Sequence, residues 1–102
     1  MRFQKVAKVS QIPEGRGICI EWQGERIAIF RIGQEFFAIG DTCTHAGGSL
    51  SEGFVEGYEV ECPLHGARFE LATGRAVCGP AFEDVPSYRT RVVGEDVEIE
   101  VP

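Results

Sequence analysis

Branched and aromatic residues occur in short runs along the chain, and no run sustains the 3.6-residue period of an amphipathic helix. Segments 3–9 (FQKVAKV), 17–22 (GICIEW), 25–32 (ERIAIFRI) and 35–39 (EFFAI) read as strands. So do 58–62 (YEVEC), 67–71 (ARFEL), 75–78 (RAVC), 88–93 (YRTRVV) and 97–101 (VEIEV). Gln23-Gly24 and Gly33-Gln34 fall where hairpins would turn, and Gly57, Gly74 and Gly94 punctuate the later strands. Many short strands at close spacing predict an all-β protein, a small antiparallel sandwich or barrel. Trp22 and Phe36-Phe37 read as core and strand-face residues. Two glycine-rich stretches break the rhythm, 40–53 (GDTCTHAGGSLSEG) and 62–67 (CPLHGA). Loops carried on a rigid scaffold are where function concentrates.

At 102 residues the chain has the size of one domain. A net charge of −6 argues against nucleic acid as a partner, because phosphates call for basic patches. No apolar run is long enough to cross a membrane as a helix, and no secretory signal is evident, so the expected location is the cytoplasm. Four cysteines in that compartment are not presumed to form disulfides. Two of them, Cys43 and Cys62, lie within three residues of a histidine. Cys19 sits in a strand pattern and reads as a small buried hydrophobe, and Cys78 reads as packing beside Gly79-Pro80.

The two pairs have the form Cys43-x-His45, sixteen residues, then Cys62-x-x-His65. Each loop offers one thiolate and one imidazole. A [2Fe–2S] centre with two Cys on one iron and two His on the other needs such a pair of loops. A mononuclear Cys2His2 zinc site is the main rival, although structural zinc sites usually pair like with like, as C-x2–4-C and H-x3–5-H. Further alternatives are a Cys–His nucleophile, or buried thiols with unrelated surface histidines. Gly47, Gly48 and Gly66 could turn backbone N–H groups toward bridging sulfides, or could simply serve the turns.

These residues resemble the Rieske iron–sulfur family, and among its members the small Rieske-type ferredoxins of bacterial, aromatic-ring-hydroxylating oxygenase systems. The resemblance rests on CTHAGGSLSEG (43–53), CPLHGARFELATG (62–74) and GPAFEDVPSY (79–88), and with the strand pattern it covers nearly the whole chain. It implies one Rieske domain over 1–102 with a two-loop cluster-binding region at about 40–82, in which Cys43, His45, Cys62 and His65 hold one [2Fe–2S] cluster. Gly79-Pro80 would belong to a loop that helps cover it.

The resemblance also implies the kind of centre. Respiratory Rieske proteins carry a disulfide whose cysteine positions match Gly48 and Leu64 here. They also carry a serine and a tyrosine that donate to cluster sulfurs, at positions matching Ala67 and Phe69. Lacking those donors, which favour the more negative reduced form, this centre is expected near the low end of the Rieske range, about −150 mV.

Only two histidines are present, so none is left for a 2-His-1-carboxylate iron, and no G-x-G-x-x-G nucleotide fingerprint occurs. The expectation is a one-electron carrier, not an enzyme. The resemblance implies a flavin-dependent, NAD(P)H-oxidising ferredoxin reductase upstream and a terminal oxygenase downstream, and a monomer is the simplest expectation for a mobile carrier. Ala46, Gly47, Leu64 and Gly66 would suit a small transient contact, and Glu52, Glu56 and Glu59 could steer a basic partner. The alternatives are the small Rieske-like subunit of an assimilatory nitrite reductase and a regulatory or redox-sensing module, although no sequence feature suggests the effector surface the latter would need.

Overall fold

A computed structural model describes residues 2–43, 47–64, 66–78 (the last as backbone only) and 83–102. The described residues hold eleven strands: β1 Arg2–Lys8, β2 Arg16–Trp22, β3 Glu25–Ile32, β4 Glu35–Gly40, β5 Phe54–Glu56, β6 Glu59–Glu61, β7 Arg68–Glu70, β8 Ala76–Cys78, β9 Ser87–Tyr88, β10 Thr90–Val93 and β11 Asp96–Val101. Two single-turn 3-10 segments, Val9–Gln11 and Leu50–Glu52, complete the described elements, and no α-helix occurs among them. The all-β expectation holds.

The strands form three antiparallel sheets, in the orders β1-β11-β10, β2-β3-β4-β9 and β5-β6-β7-β8. The β2–β3–β4 meander is the central layer, and alternation along β3 explains why. Successive strand residues point to opposite faces. Ile27 and Ile29 enter one core with Ile12, Phe36, Ala38, Val97, Ile99 and Val101. Ala28 and Phe30 enter the other, with Ile39, Cys43, Leu50, Val60, Cys62, Ala67, Phe69, Leu71 and Val85. A strand covered on both faces reads as a near-continuous apolar run, as ERIAIFRI does. The first core joins the central sheet to the terminal strands, and the second joins it to the β5–β8 sheet. Trp22 and Phe36 pack in the first core and Phe37 against the second, as core and strand-face residues should.

The sequence reading missed β5 and treated 88–93 as continuous, whereas the chain breaks at Arg89. Tyr88 pairs with β4 on the central sheet, and Thr90 begins pairing with β11. One short apolar run therefore serves two sheets. Cys19 also differs from expectation. Its neighbours Ile18 and Ile20 pack on the first core, which turns Cys19 outward to solvent.

Candidate metal centre

Cys43 and Cys62 are each 1 % exposed and belong to the same buried cluster. They are carried by two loops of closely similar build. In the first, Cys43 N–H donates to Gly48 O at 2.8 Å and Gly47 N–H donates to Cys43 O at 2.9 Å. In the second, Cys62 N–H donates to Ala67 O at 2.7 Å and Gly66 N–H donates to Cys62 O at 3.1 Å. In both loops the fourth residue after the cysteine is a glycine with positive φ, 73° at Gly47 and 76° at Gly66. Glycine takes that conformation without steric cost, which lets each loop close within five residues. The N–H groups of Gly47 and Gly66 are thus committed to cysteine carbonyls, so at these two glycines turn formation is the role seen, not donation to sulfide.

The loops meet. A Cβ placed on Gly48 would lie 3.0 Å from Cys62 Sγ and 3.1 Å from the Leu64 side chain, so the Cys43 loop rests directly on the Cys62 loop. Two buried thiols on touching loops suit the thiolate half of a [2Fe–2S] site. His45 and His65, with Thr44 and Ala46, lie outside the described residues, as do Gly79 and Pro80. Among the described residues no group of three or more His, Cys, Asp and Glu gathers into a second metal site. Ala67 and Phe69, fully buried beside the thiols, bring no hydroxyl to the site.

One residue of this region escaped the sequence reading. Asp41 is a fully buried carboxylate, two residues before Cys43. Ser49 Oγ donates to its Oδ2 at 2.7 Å, Ser51 N–H donates to its Oδ1 at 2.8 Å, and Arg26 Nη2 lies 3.3 Å from Oδ2. Burial pushes the carboxyl up, but the Ser49 hydroxyl, the Ser51 N–H and hydroxyl and the Arg26 charge outweigh it. The net effect holds Asp41 below the usual carboxylate range. No spacing rule in the sequence separates Asp41 from the other acidic residues. The only hint is a carboxylate in the same loop as two serines.

Two of the three proposed acidic steering residues, Glu56 and Glu59, are paired with a cation. Arg68 Nη2 lies 3.0 Å from Glu56 Oε1, and Arg68 Nε donates to Glu59 Oε1 at 3.1 Å, with Glu61 at 3.9 Å. Glu56 and Glu59 share one guanidinium, which weakens the field they would present. Leu64, by contrast, is 59 % exposed beside Cys62 and offers an apolar contact there.

The model of the Rieske [2Fe-2S] domain matches residues 2–89. The chain belongs to the Rieske [2Fe–2S] domain family. One Rieske-type [2Fe–2S] cluster, with two Cys and two His ligands, is its cofactor. A Rieske relative, the 3-phenylpropionate/cinnamic acid dioxygenase ferredoxin subunit of Shigella boydii serotype 4 (strain Sb227), is 44% identical over 95 residues, covering 92% of this chain and 89% of the relative. The ferredoxin component of the naphthalene 1,2-dioxygenase system of Pseudomonas aeruginosa is 37% identical over 91 residues, covering 89% and 88%.

Among solved structures, the ferredoxin of carbazole 1,9a-dioxygenase from Nocardioides aromaticivorans IC177 superimposes with a TM-score of 0.91 at 29% identity, over 97% of each chain. A structure of reduced oxygenase with oxidised ferredoxin in carbazole 1,9a-dioxygenase matches with a TM-score of 0.87 at 33% identity, covering 95% of this chain and 91% of that one. A chain described as an NADH-dependent nitrite reductase small subunit from Mycobacterium tuberculosis has a TM-score of 0.87 at 23% identity, over 99% and 96%, and shares the fold.

Proposed function

We propose that Cys43, His45, Cys62 and His65 hold the [2Fe–2S] cluster, within a cluster-binding region at about 40–82 of one Rieske domain spanning 1–102. The observation that carries this reading is the contact between two like-built loops, each presenting a buried cysteine to the same core. Both histidines of the chain fall in those two loops, so the imidazole half of a Rieske centre has no other source.

The chain is a one-electron carrier of the dioxygenase-ferredoxin type, not a catalyst. The cluster supplies one-electron storage when bound. Two ferric ions, two sulfides and two thiolates leave it neutral when oxidised, and this makes it easier to reduce than an all-cysteine cluster. The chain's own residues shelter the thiolate side in the apolar core and omit hydroxyl donors at Ala67 and Phe69. A midpoint near the low end of the Rieske range, about −150 mV, follows from that omission.

Electrons arrive from an NAD(P)H-dependent flavin reductase and leave to a terminal oxygenase, with the carrier acting as a monomer in the cytoplasm. Among the described residues no helix is long and apolar enough to cross a membrane. The exposed Leu64 and the small Gly47 and Gly66 around it fit a brief, small docking contact. The test is stepwise. Iron and acid-labile sulfide analysis should give two of each per chain, and the oxidised protein should be reduced by NADH only when a flavin-dependent ferredoxin reductase is present. Reoxidation should then be accelerated by a Rieske-type aromatic-ring oxygenase. Zinc without labile sulfide would overturn the site, and tight co-purification with a sirohaem protein would overturn the carrier role.

A further inference from the structure

The two cysteine loops share the same closing bonds between cysteine and the residues four and five positions on, and they differ at their necks. The Cys62 loop closes a regular hairpin, with Glu61 opposite Arg68, Val60 opposite Phe69 and Glu59 opposite Glu70. That hairpin is flanked by β5 on one side and β8 on the other, so its backbone ladder is held from both edges. Among the described residues the Cys43 loop has no such flanking strands. Its neck shows one isolated bridge, Thr42 opposite Ser49, after which the returning arm leaves the ladder as a 3-10 turn at Leu50–Glu52.

A 3-10 turn leaves its first N–H groups without partners inside the turn. Ser49, at the N-cap, makes no side-chain cap bond to it. Asp41 satisfies those groups from across the neck: its carbonyl accepts from Leu50 N–H at 2.7 Å and its carboxylate from Ser51 N–H at 2.8 Å. The carboxylate also takes the Ser49 hydroxyl, and Asp41 N–H donates to Arg26 O at 3.0 Å, which fastens the neck to β3 of the central sheet. A buried carboxylate held by the Ser49 hydroxyl, the Ser51 N–H and the Arg26 guanidinium is a rigid fixture, because losing any partner leaves a desolvated charge or donor unsatisfied.

We infer that Asp41 is a positioning residue for the cluster: its side chain holds the neck of the Cys43 loop, as strand pairing holds the neck of the Cys62 loop. This rests on Cys43 being a cluster ligand. The brace acts on one half of the site, so weakening it should loosen the Cys43 side while leaving the Cys62 hairpin intact. Its failure should therefore appear as cluster loss and an altered cluster spectrum before it appears as unfolding.

The test uses holoprotein of the wild type, Asp41→Asn and Ser49→Ala, the two milder changes, alongside Asp41→Ala. Cluster retention is read from the decay of visible absorbance under chelator, the cluster environment from EPR of the reduced protein, and global folding from far-ultraviolet melting. The expected result is cluster loss severalfold faster in Ser49→Ala and Asp41→Asn, at temperatures where their far-ultraviolet signal is still native, with shifted EPR line shape in Asp41→Asn. Asp41→Ala should lose the cluster fastest or accumulate without it. Wild-type decay rates and line shapes in both milder variants would overturn the brace, as would cluster loss that only tracks melting. Wild-type protein without iron and labile sulfide would instead overturn the ligand assignment itself.

Discussion

A side chain added at position 48 would crowd the neighbouring loop, because its Cβ would stand 3.0 Å from Cys62 Sγ and 3.1 Å from Leu64, close enough that a neighbour must give by a few tenths of an ångström. Leu64 is exposed and could swing away, but the Cys62 sulfur, if it holds iron as proposed, could not. Gly48→Val should therefore yield protein that folds with a reduced iron and sulfide content, measured against wild type purified in parallel. Phe69 makes the opposite kind of residue-scale prediction. It is fully buried among the residues that surround both cysteines, and it lacks the hydroxyl of the matching tyrosine in respiratory Rieske proteins. Phe69→Tyr should raise the midpoint potential, because a donor directed at a cluster sulfur favours the reduced form. An unchanged or lower midpoint by protein-film voltammetry would contradict the link between that position and the potential.

Between elements, the β5–β8 sheet is tied to the central sheet by more than the shared core. Tyr58, in the turn between β5 and β6, donates its hydroxyl to Glu35 Oε1 at 2.8 Å at the start of β4. Its ring also meets Phe37 edge-on at 5.7 Å. The hydrogen bond to Glu35 raises the phenol above its usual value near 10. A raised folded-state value means the bond is fully present below the unfolded pKa and is lost as pH rises through the folded one. Tyr58→Phe should lower the melting temperature slightly at neutral pH, and the difference from wild type should vanish well above pH 10. A difference that persists at that pH would assign the effect to packing instead. These elements also mark what the sequence could and could not disclose. β2, β3 and β4 were legible because β-branched and aromatic residues fill them between glycine turns. β5 was not, since three residues between Gly53 and Gly57 are too few to show alternation, and Phe54 faces solvent at 68 % exposure. The Arg89 break was hidden because both flanking pieces are strand-like. Cys19 was misjudged because alternation gives two faces without saying which one is covered. The two Cys/His pairs stood out in the sequence by their spacing, while Asp41 depends on a fold-dependent meeting with Ser49, Ser51 and Arg26.

At the scale of the molecule, three layers enclose two cores, and both thiols belong to the second of them. If both thiols hold the cluster as proposed, cluster binding and folding would be coupled through that core. Phe30, fully buried at its centre on β3, gives the clearest handle. Phe30→Ala should cost about 3–5 kcal/mol of stability in chemical denaturation, with cluster absorbance falling in the same transition. Separate transitions would mean the cluster loops are held independently of the core. The central claim is the assignment of one cluster to Cys43, Cys62 and both histidines. It is tested most directly by pulsed EPR on reduced protein grown with 15N-histidine. The chain has only two histidines, so the spectrum identifies them without mutagenesis. The assignment predicts strong hyperfine couplings from two distinct histidine nitrogens, as His45 and His65 both bind iron. One coupled nitrogen, or none, would contradict it.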